Sequence, residues 1–239
     1  MSQGKRARDG LERSRALPGE DRPVPIPITK WRSALPDDAW PVGFPKSGHV
    51  WRQDVFDVAE RWLDGRCGAR PLLAATLMWT YGEQSGGRRR AVRTLAGDPT
   101  GALLEYALQS LRANRPRMTD LRAAYLALRT TARLPELDSD TCTRLLYFAG
   151  YRRGGIGIQP LILDETIVRR LPRDSAVSSP ASRGSSLEWV RYIVWAINQV
   201  AEGEEPDRVE MDLAAGGARY GEGSNSLKNW EARGRHARR

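Results

Sequence analysis

The spacing of apolar residues is the feature that most constrains the fold of this chain. In SLEWVRYIVWAINQVAEG (186–203), apolar residues recur so as to form one stripe along an α-helix, namely Leu187, Val190, Ile193 or Val194, Ile197 and Val200. Other segments are amphipathic at helical spacing or apolar all round, namely 51–65, 71–82, 101–112, 118–130 and 206–216. No stretch of useful length alternates apolar and polar residues as a half-buried strand would. The sequence therefore predicts an all-α fold.

The charge balance is strongly basic and narrows the class of partner. Lys and Arg number 38 against 29 Asp and Glu, which gives a formal net charge of +9. Such a surplus favours polyanions, because basic side chains release the counterions condensed on a phosphate backbone. Arg greatly outnumbers Lys, a bias that GC-rich coding also produces. Charge alone therefore leaves nucleic-acid binding open.

The ends of the chain differ in composition from its middle. Residues 1–40 mix charges with Pro and Gly, and we expect a flexible basic arm there. Residues 216–239 form a second basic segment, which we expect to be a disordered tail. Residues 41–215 are long enough to bury a core and are predicted to form one helical domain.

The few cysteines and histidines argue against metal chemistry. Cys67 and Cys142 belong to no C-x-x-C pair, and the two histidines are His49 and His236. These residues do not supply a zinc or iron–sulfur ligand set, so we expect no metal and no cofactor. Free thiols, the lack of a membrane-length apolar run and the lack of a signal peptide predict a cytoplasmic, membrane-free protein. We expect a monomer.

One carboxylate stands out against the basic background. In PLILDETIVRRL (160–171), Asp164 directly follows the apolar run Leu161-Ile162-Leu163. An Asp in front of a helical stretch commonly accepts hydrogen bonds from the unpaired N–H groups of the first turn. The sequence predicts that Asp164 begins a helix, and a cap of this kind is compatible with a catalytic role.

Four motifs in order carry a resemblance to a known family. They are WTYGEQSGGRRRAVR (79–93), TRLLYFAG (143–150), LILD (161–164) and PDRVEMDL (206–213). Together they resemble the helix-hairpin-helix DNA glycosylase superfamily. The likeness is closest to a prokaryotic branch with an oxoguanine-glycosylase-like fold, which includes members tied to phage defence.

The resemblance implies two helical lobes around a cleft and a double-stranded DNA partner containing a modified base. Asp164 falls on the catalytic position of that family. An aromatic pocket or wedge for the flipped base would come from Trp79, Tyr81, Tyr147 and Tyr151. Contacts to DNA would come from Arg88, Arg89, Arg90, Arg93, Thr143, Arg144, Arg152 and Arg153. Core packing of the aromatics and a solvated face for the arginines are the competing interpretations.

The departures from the family pattern bear on mechanism. The predicted hairpin LPELDSD (134–140) has no glycine where the family has two, and Arg144 stands where this branch has a Lys. No Lys occurs between Lys46 and Lys228, and a guanidinium cannot form a Schiff base. The sequence thus predicts a monofunctional glycosylase. The alternatives are a non-catalytic DNA-binding helical protein and an RNA-binding or scaffold protein.

Overall fold

A computed structural model describes residues 23–216 apart from 45–46, 114, 156, 173–174, 176, 178–183 and 201–203. Within these residues the protein consists of helices and one two-stranded antiparallel sheet, which confirms the predicted all-α class. The sheet pairs β1 (Val24–Pro25) with β2 (His49–Val50). The helices are α1 (Ile28–Arg32), α2 (Arg52–Leu63), α3 (Ala69–Tyr81), α4 (Gly87–Ala96), α5 (Ala102–Leu108), α6 (Met118–Arg129), α7 (Ser139–Gly150), α8 (Glu165–Arg170), α9 (Ser186–Gln199) and α10 (Asp207–Ala215).

Helix α3 is the centre of the core. Its sequence is apolar on nearly every side, and Leu72, Leu73, Leu77 and Met78 are fully buried. Helices α2, α4, α5 and α7 pack around it. The helix ends at Gly82, which has a positive φ of 50°. The remaining elements are arranged around this buried helix.

Residues 23–44 pack onto this core, although the sequence analysis extended the flexible arm to residue 40. Trp31 is 0% exposed, and its indole Nε1 donates a hydrogen bond to the carbonyl of Gly82 (3.0 Å). Asp38 accepts a hydrogen bond from the Arg70 guanidinium of α3 (2.7 Å). Trp31 and Asp38 lie in a Pro-rich segment without regular apolar spacing. The sequence pattern therefore did not predict that this segment packs on the core. The rest of the predicted arm and residues 217–239 of the predicted tail lie outside the described residues.

Helix α9 begins as predicted at residue 186 and ends at Gln199, while residues 201–203 are not described. Its buried face includes Val190, Ile193 and Val200 of the predicted stripe, but Leu187 lies outside it. Leu187 is 44% exposed, whereas Trp189, Tyr192 and Trp195 are buried. The large aromatic side chains bury more apolar area than Leu187 does and therefore set the rotation of the helix.

Replacing Trp31 with Ala tests whether the amino-terminal segment belongs to the folded body. Removal of this fully buried indole should lower the free energy of unfolding by about 3–5 kcal/mol, measured by chemical denaturation. Val42, which is 79% exposed, provides the control, and Val42→Ala should be close to neutral. An unchanged stability in Trp31→Ala would mean that residues 23–44 do not contribute to the core.

Candidate active site

Asp164 lies at the amino-terminal end of α8, as predicted. Its backbone is extended (φ −110°, ψ 177°), and its carboxylate Oδ1 accepts a hydrogen bond from the N–H of Ile167 (3.0 Å). The side chain is 17% exposed, so the carboxylate is largely buried yet keeps an edge toward solvent. The sequence rule for helix caps holds at this position.

The run before Asp164, residues 161–163, is buried and belongs to no helix or strand, and side chains bond its backbone polar groups. The Trp189 indole of α9 donates a hydrogen bond to the carbonyl of Leu161 (2.8 Å). The N–H of Ile162 donates to the Glu210 carboxylate of α10 (3.3 Å). Buried backbone groups need such partners, and each partner here also fixes the position of the chain that leads to Asp164.

Thr143 of α7 supplies the third of these contacts. Its hydroxyl accepts a hydrogen bond from the N–H of Leu163 (3.1 Å) and lies 3.0 Å from the carbonyl of Asp140. Thr143 is 0% exposed. This corrects the prediction that Thr143 contacts DNA. Its buried hydroxyl forms a hydrogen bond with Leu163, the residue before Asp164.

Arg144 forms an ion pair with Asp164. Its Nη2 lies 2.6 Å from Oδ2 of the carboxylate, and the two side chains are 20% and 17% exposed. A hydrogen bond between ionised groups in a partly buried position is stronger than an exposed pair. Both carboxylate oxygens of Asp164 thus have donors, one from Arg144 and one from Ile167. The guanidinium that was predicted to meet DNA is turned toward the candidate catalytic group.

Trp79 is the only one of the four predicted pocket aromatics that is not buried. Its ring packs edge-on against Phe148 with the centroids 5.2 Å apart, and the Arg52 guanidinium lies 5.3 Å from its centroid. The indole Nε1 has no hydrogen-bond partner among the described residues. Tyr81 is 7% exposed, and its hydroxyl likewise lacks a partner within the described chain. Of the four, Trp79 retains the most surface for a base.

Tyr147 and Tyr151 belong to the core rather than to an open pocket, which corrects their prediction as wedge residues. Tyr147 is 0% and Tyr151 3% exposed. The Tyr147 hydroxyl donates to Asp207 (2.7 Å), and the Tyr151 hydroxyl donates to Glu205 (2.6 Å). Burial raises the pKa of both phenols. Neither ring can enter DNA without breaking these contacts.

A buried ionic cluster joins α2, α7 and α10, and the sequence analysis did not anticipate it. Arg52 donates to the Tyr147 hydroxyl (3.0 Å) and to Glu210 (3.1 Å), while Asp207 accepts from the same hydroxyl. Burial, and then the nearby Asp207, raise the pKa of Glu210 to about 7, although Arg52 opposes the shift. Asp207 and Glu210 are three residues apart in the motif PDRVEMDL, so helical spacing was the available signal that they share a face.

The arginines of α4 lie at the surface. Arg89, Arg90 and Arg93 are exposed and Arg88 is half-buried. Arg93 pairs with the Glu136 carboxylate at 3.0 Å and Arg90 at 3.9 Å. These arginines are accessible to a polyanion. The Glu136 carboxylate already pairs with two of them, Arg90 and Arg93.

Arg152 and Arg153 differ sharply in their surroundings. The Arg152 guanidinium donates to the carbonyls of Leu111 (2.9 Å) and Ala149 (3.0 Å), and burial lowers its pKa. The guanidinium of Arg152 thus bonds backbone carbonyls inside the protein, and phosphate contact by Arg152 stays a prediction. Arg153 is exposed, bonds the Gln53 side chain (2.9 Å) and remains at the surface.

The predicted hairpin lies between α6 and α7. Asp138 caps α7 by accepting a hydrogen bond from the N–H of Thr141 (2.8 Å). Glu136 has a φ of 60°, the only positive φ of a non-glycine residue in the described chain. A left-handed conformation at a residue with a Cβ costs on the order of 1 kcal/mol.

A concavity of about 660 Å³ opens beside this loop, and a second of about 280 Å³ lies beside Arg153. Asp164 lines neither of them, so the cleft around Asp164 remains a prediction.

The described residues contain no group of three or more His, Cys, Asp or Glu that could hold a metal ion. No helix in the described ranges is both long and apolar enough to cross a bilayer.

Glu210→Gln tests the buried cluster through the pH dependence of stability. The folded protein keeps the Glu210 proton up to a pKa of about 7, whereas the ordinary value is 4.5. Folding therefore takes up a proton between these values, so the contribution of Glu210 to the free energy of unfolding falls as pH rises through this window. Gln can still accept from Ile162 but cannot titrate. The stability of the native protein minus that of the variant should decline by on the order of 2 kcal/mol between about pH 5 and 7.

Urea denaturation of both proteins at several pH values measures this difference. Glu83→Gln is the matched control, because Glu83 is exposed and its removal should leave a pH-independent difference. A flat difference for Glu210→Gln would show that its carboxyl is already ionised in the folded protein at the lower pH.

The chain was compared with the models of known protein families. The family described as "Putative 8-oxoguanine DNA glycosylase OGG-like protein" matches residues 19–213. No curated protein and no solved structure matched the chain significantly.

Proposed function

The chain belongs to this OGG-like family, and from that premise we propose that it is a monofunctional DNA glycosylase. In this proposal it flips a modified base out of double-stranded DNA and hydrolyses the N-glycosidic bond. The observation that carries the proposal is the setting of Asp164. A single carboxylate, 17% exposed, is held at the start of a helix by a backbone run that three side chains fix in place.

The chemistry needs a carboxylate in this kind of setting. As the base leaves, positive charge develops on the sugar, and the transition state resembles an oxocarbenium ion. A rigidly held carboxylate beside the sugar carbon stabilises that charge without having to reorganise. Its other task is to orient the water that attacks the sugar carbon. In this proposal Asp164 performs both tasks.

Arg144 has a positioning role in this mechanism. Its guanidinium, 2.6 Å from Asp164, binds one carboxylate oxygen and fixes its direction. A guanidinium does not form a Schiff base, so Arg144 is not a candidate nucleophile. No Lys lies between Lys46 and Lys228, and Lys30 of α1 is the only Lys among the described residues. In this proposal Lys30 does not attack the sugar. Water is left as the nucleophile.

The proposed DNA surface is smaller than the sequence suggested. Arg88, Arg89, Arg90 and Arg93 of α4, together with Arg153, keep accessible side chains for phosphate contacts. Trp79 is the proposed aromatic contact for the flipped base. The family name makes oxidised guanine the first base to test, followed by alkylated bases and the bulky modified bases of phage DNA.

The second candidate is a DNA-binding protein without catalysis. The Arg144–Asp164 ion pair favours it, because a carboxylate matched by its own guanidinium has less charge to offer an oxocarbenium ion. The two candidates agree on DNA binding and differ only in whether free base is released.

Asp164→Asn separates these candidates. Asn caps helices about as well as Asp, so the helix start should survive, while the charge that stabilises the cation is lost. Release of modified base from duplex DNA should fall at least about a hundredfold, with DNA affinity nearly unchanged. Glu165→Gln, which neutralises the neighbouring exposed carboxylate, should retain activity. Equal base release by native protein and Asp164→Asn would eliminate Asp164 as the catalytic group.

Borohydride trapping tests the monofunctional mechanism. A water nucleophile leaves an intact abasic strand, so strand breaks should appear only after alkali or an added endonuclease. Borohydride added during base excision should give no covalent protein–DNA adduct. A trapped adduct at any amine would contradict the mechanism, and Lys30 of α1 is the first position to check because it lies in the described chain.

A further inference from the structure

The loop between α6 and α7 carries an acidic side chain, Glu136, that lies beside two arginines of α4. Glu136 extends its carboxylate across to α4, where Oε1 lies 3.0 Å from Arg93 and Oε2 lies 3.9 Å from Arg90. These three side chains are partly exposed, at 34% for Glu136, 59% for Arg93 and 51% for Arg90. Ion pairs this exposed contribute little to stability, so folding alone does not account for the arrangement.

The position of Glu136 is set by the backbone around it. Pro135 packs directly on Gly97, where a Cβ atom would lie 2.3 Å from the Pro135 ring, so the loop sits tightly against the end of α4. Glu136 then adopts a φ of 60°, which is unfavourable for a residue with a side chain. The unfavourable backbone conformation thus occurs at Glu136, the residue whose carboxylate pairs with Arg90 and Arg93.

The same loop borders the concavity of about 660 Å³, to which Arg90, Arg129 and Arg133 also contribute. Two carboxylates face it, from Glu136 and Asp138. Asp138 is committed to the N–H of Thr141 as the cap of α7. The Glu136 carboxylate caps no helix in the described chain. It can therefore move away from Arg90 and Arg93 without removing a helix cap.

We propose that Glu136 is an internal competitor for a DNA backbone phosphate at Arg90 and Arg93. A phosphate diester carries the same single negative charge as the carboxylate and suits the same guanidinium donors. DNA would dock here by exchanging an intramolecular ion pair for an intermolecular one. The exchange weakens binding to any DNA and leaves selection of the site to contacts elsewhere. This inference rests on the proposed DNA-binding function and adds a regulatory contact to it.

Glu136→Gln provides the direct test, with binding to unmodified duplex DNA measured across a range of salt concentrations. Freeing Arg90 and Arg93 should tighten binding roughly three- to tenfold at low salt and steepen the salt dependence by about one phosphate contact. Glu83→Gln changes the net charge equally, and Glu83 makes no ion pair among the described residues. It should therefore give a smaller change in affinity and no change in slope.

A second pair of variants removes the site instead of its competitor. In an Arg90→Gln, Arg93→Gln background, the addition of Glu136→Gln should no longer tighten binding. Glu136→Gly, which also relieves the positive φ, should bind DNA as tightly as Glu136→Gln and show that the effect does not depend on the new amide. Thermal unfolding of each variant confirms that the loop change has not disrupted the fold.

The outcomes separate this inference from the proposed glycosylase activity. If Glu136→Gln gains no more affinity than Glu83→Gln, or if the gain persists without Arg90 and Arg93, the inference is wrong whatever the activity. If the predicted gain appears and no modified base is released, the competitor role stands and the glycosylase proposal fails. Failure of the native protein and of Glu136→Gln to bind duplex DNA even at low salt would overturn both.

Discussion

Residues 161–163 are buried and pair with no strand in the described chain, and their polar backbone groups would be costly to leave unpaired. Side chains from three helices take the place of a sheet: Trp189, Glu210 and Thr143. The direction of Asp164 depends on this run, because Asp164 follows it immediately. A change in any of the three partners would shift the candidate catalytic carboxylate as well as destabilise the core.

Glu210 connects that run to the buried cluster around Arg52. Arg52 is the only cation within hydrogen-bonding distance of Glu210 and Tyr147 in the described chain, and Asp207 adds a second carboxylate to the same cluster. Burial of two acids with one base favours a proton on one of them, in line with the raised pKa of Glu210. Within the late motif PDRVEMDL, Glu210 thus contacts the backbone that leads to Asp164.

Local rules predicted the parts of this molecule that local interactions determine. Helical periodicity gave the class, and the cap rule gave the start of α8 at Asp164. The same rules could not distinguish Arg152, which closes internal carbonyls, from the exposed Arg153, since the two are adjacent in one basic motif. Tyr147 was misassigned for a similar reason, because its partners lie 95 residues upstream and 60 residues downstream. A short stretch of sequence does not show which of its side chains will be buried by distant segments.

The Arg52–Glu210 contact joins residues 158 positions apart and therefore has a consequence for synthesis of the chain. As the polypeptide leaves the ribosome, Asp164 emerges well before the carboxylate that secures the preceding backbone. Contacts of such long range close slowly, and they cannot close at all until residue 210 has been made. A ribosome that stalls after residue 164 would thus release a chain containing every proposed reactive group but lacking the means to orient them. The proposed site therefore cannot take its final form until residue 210 has been synthesised.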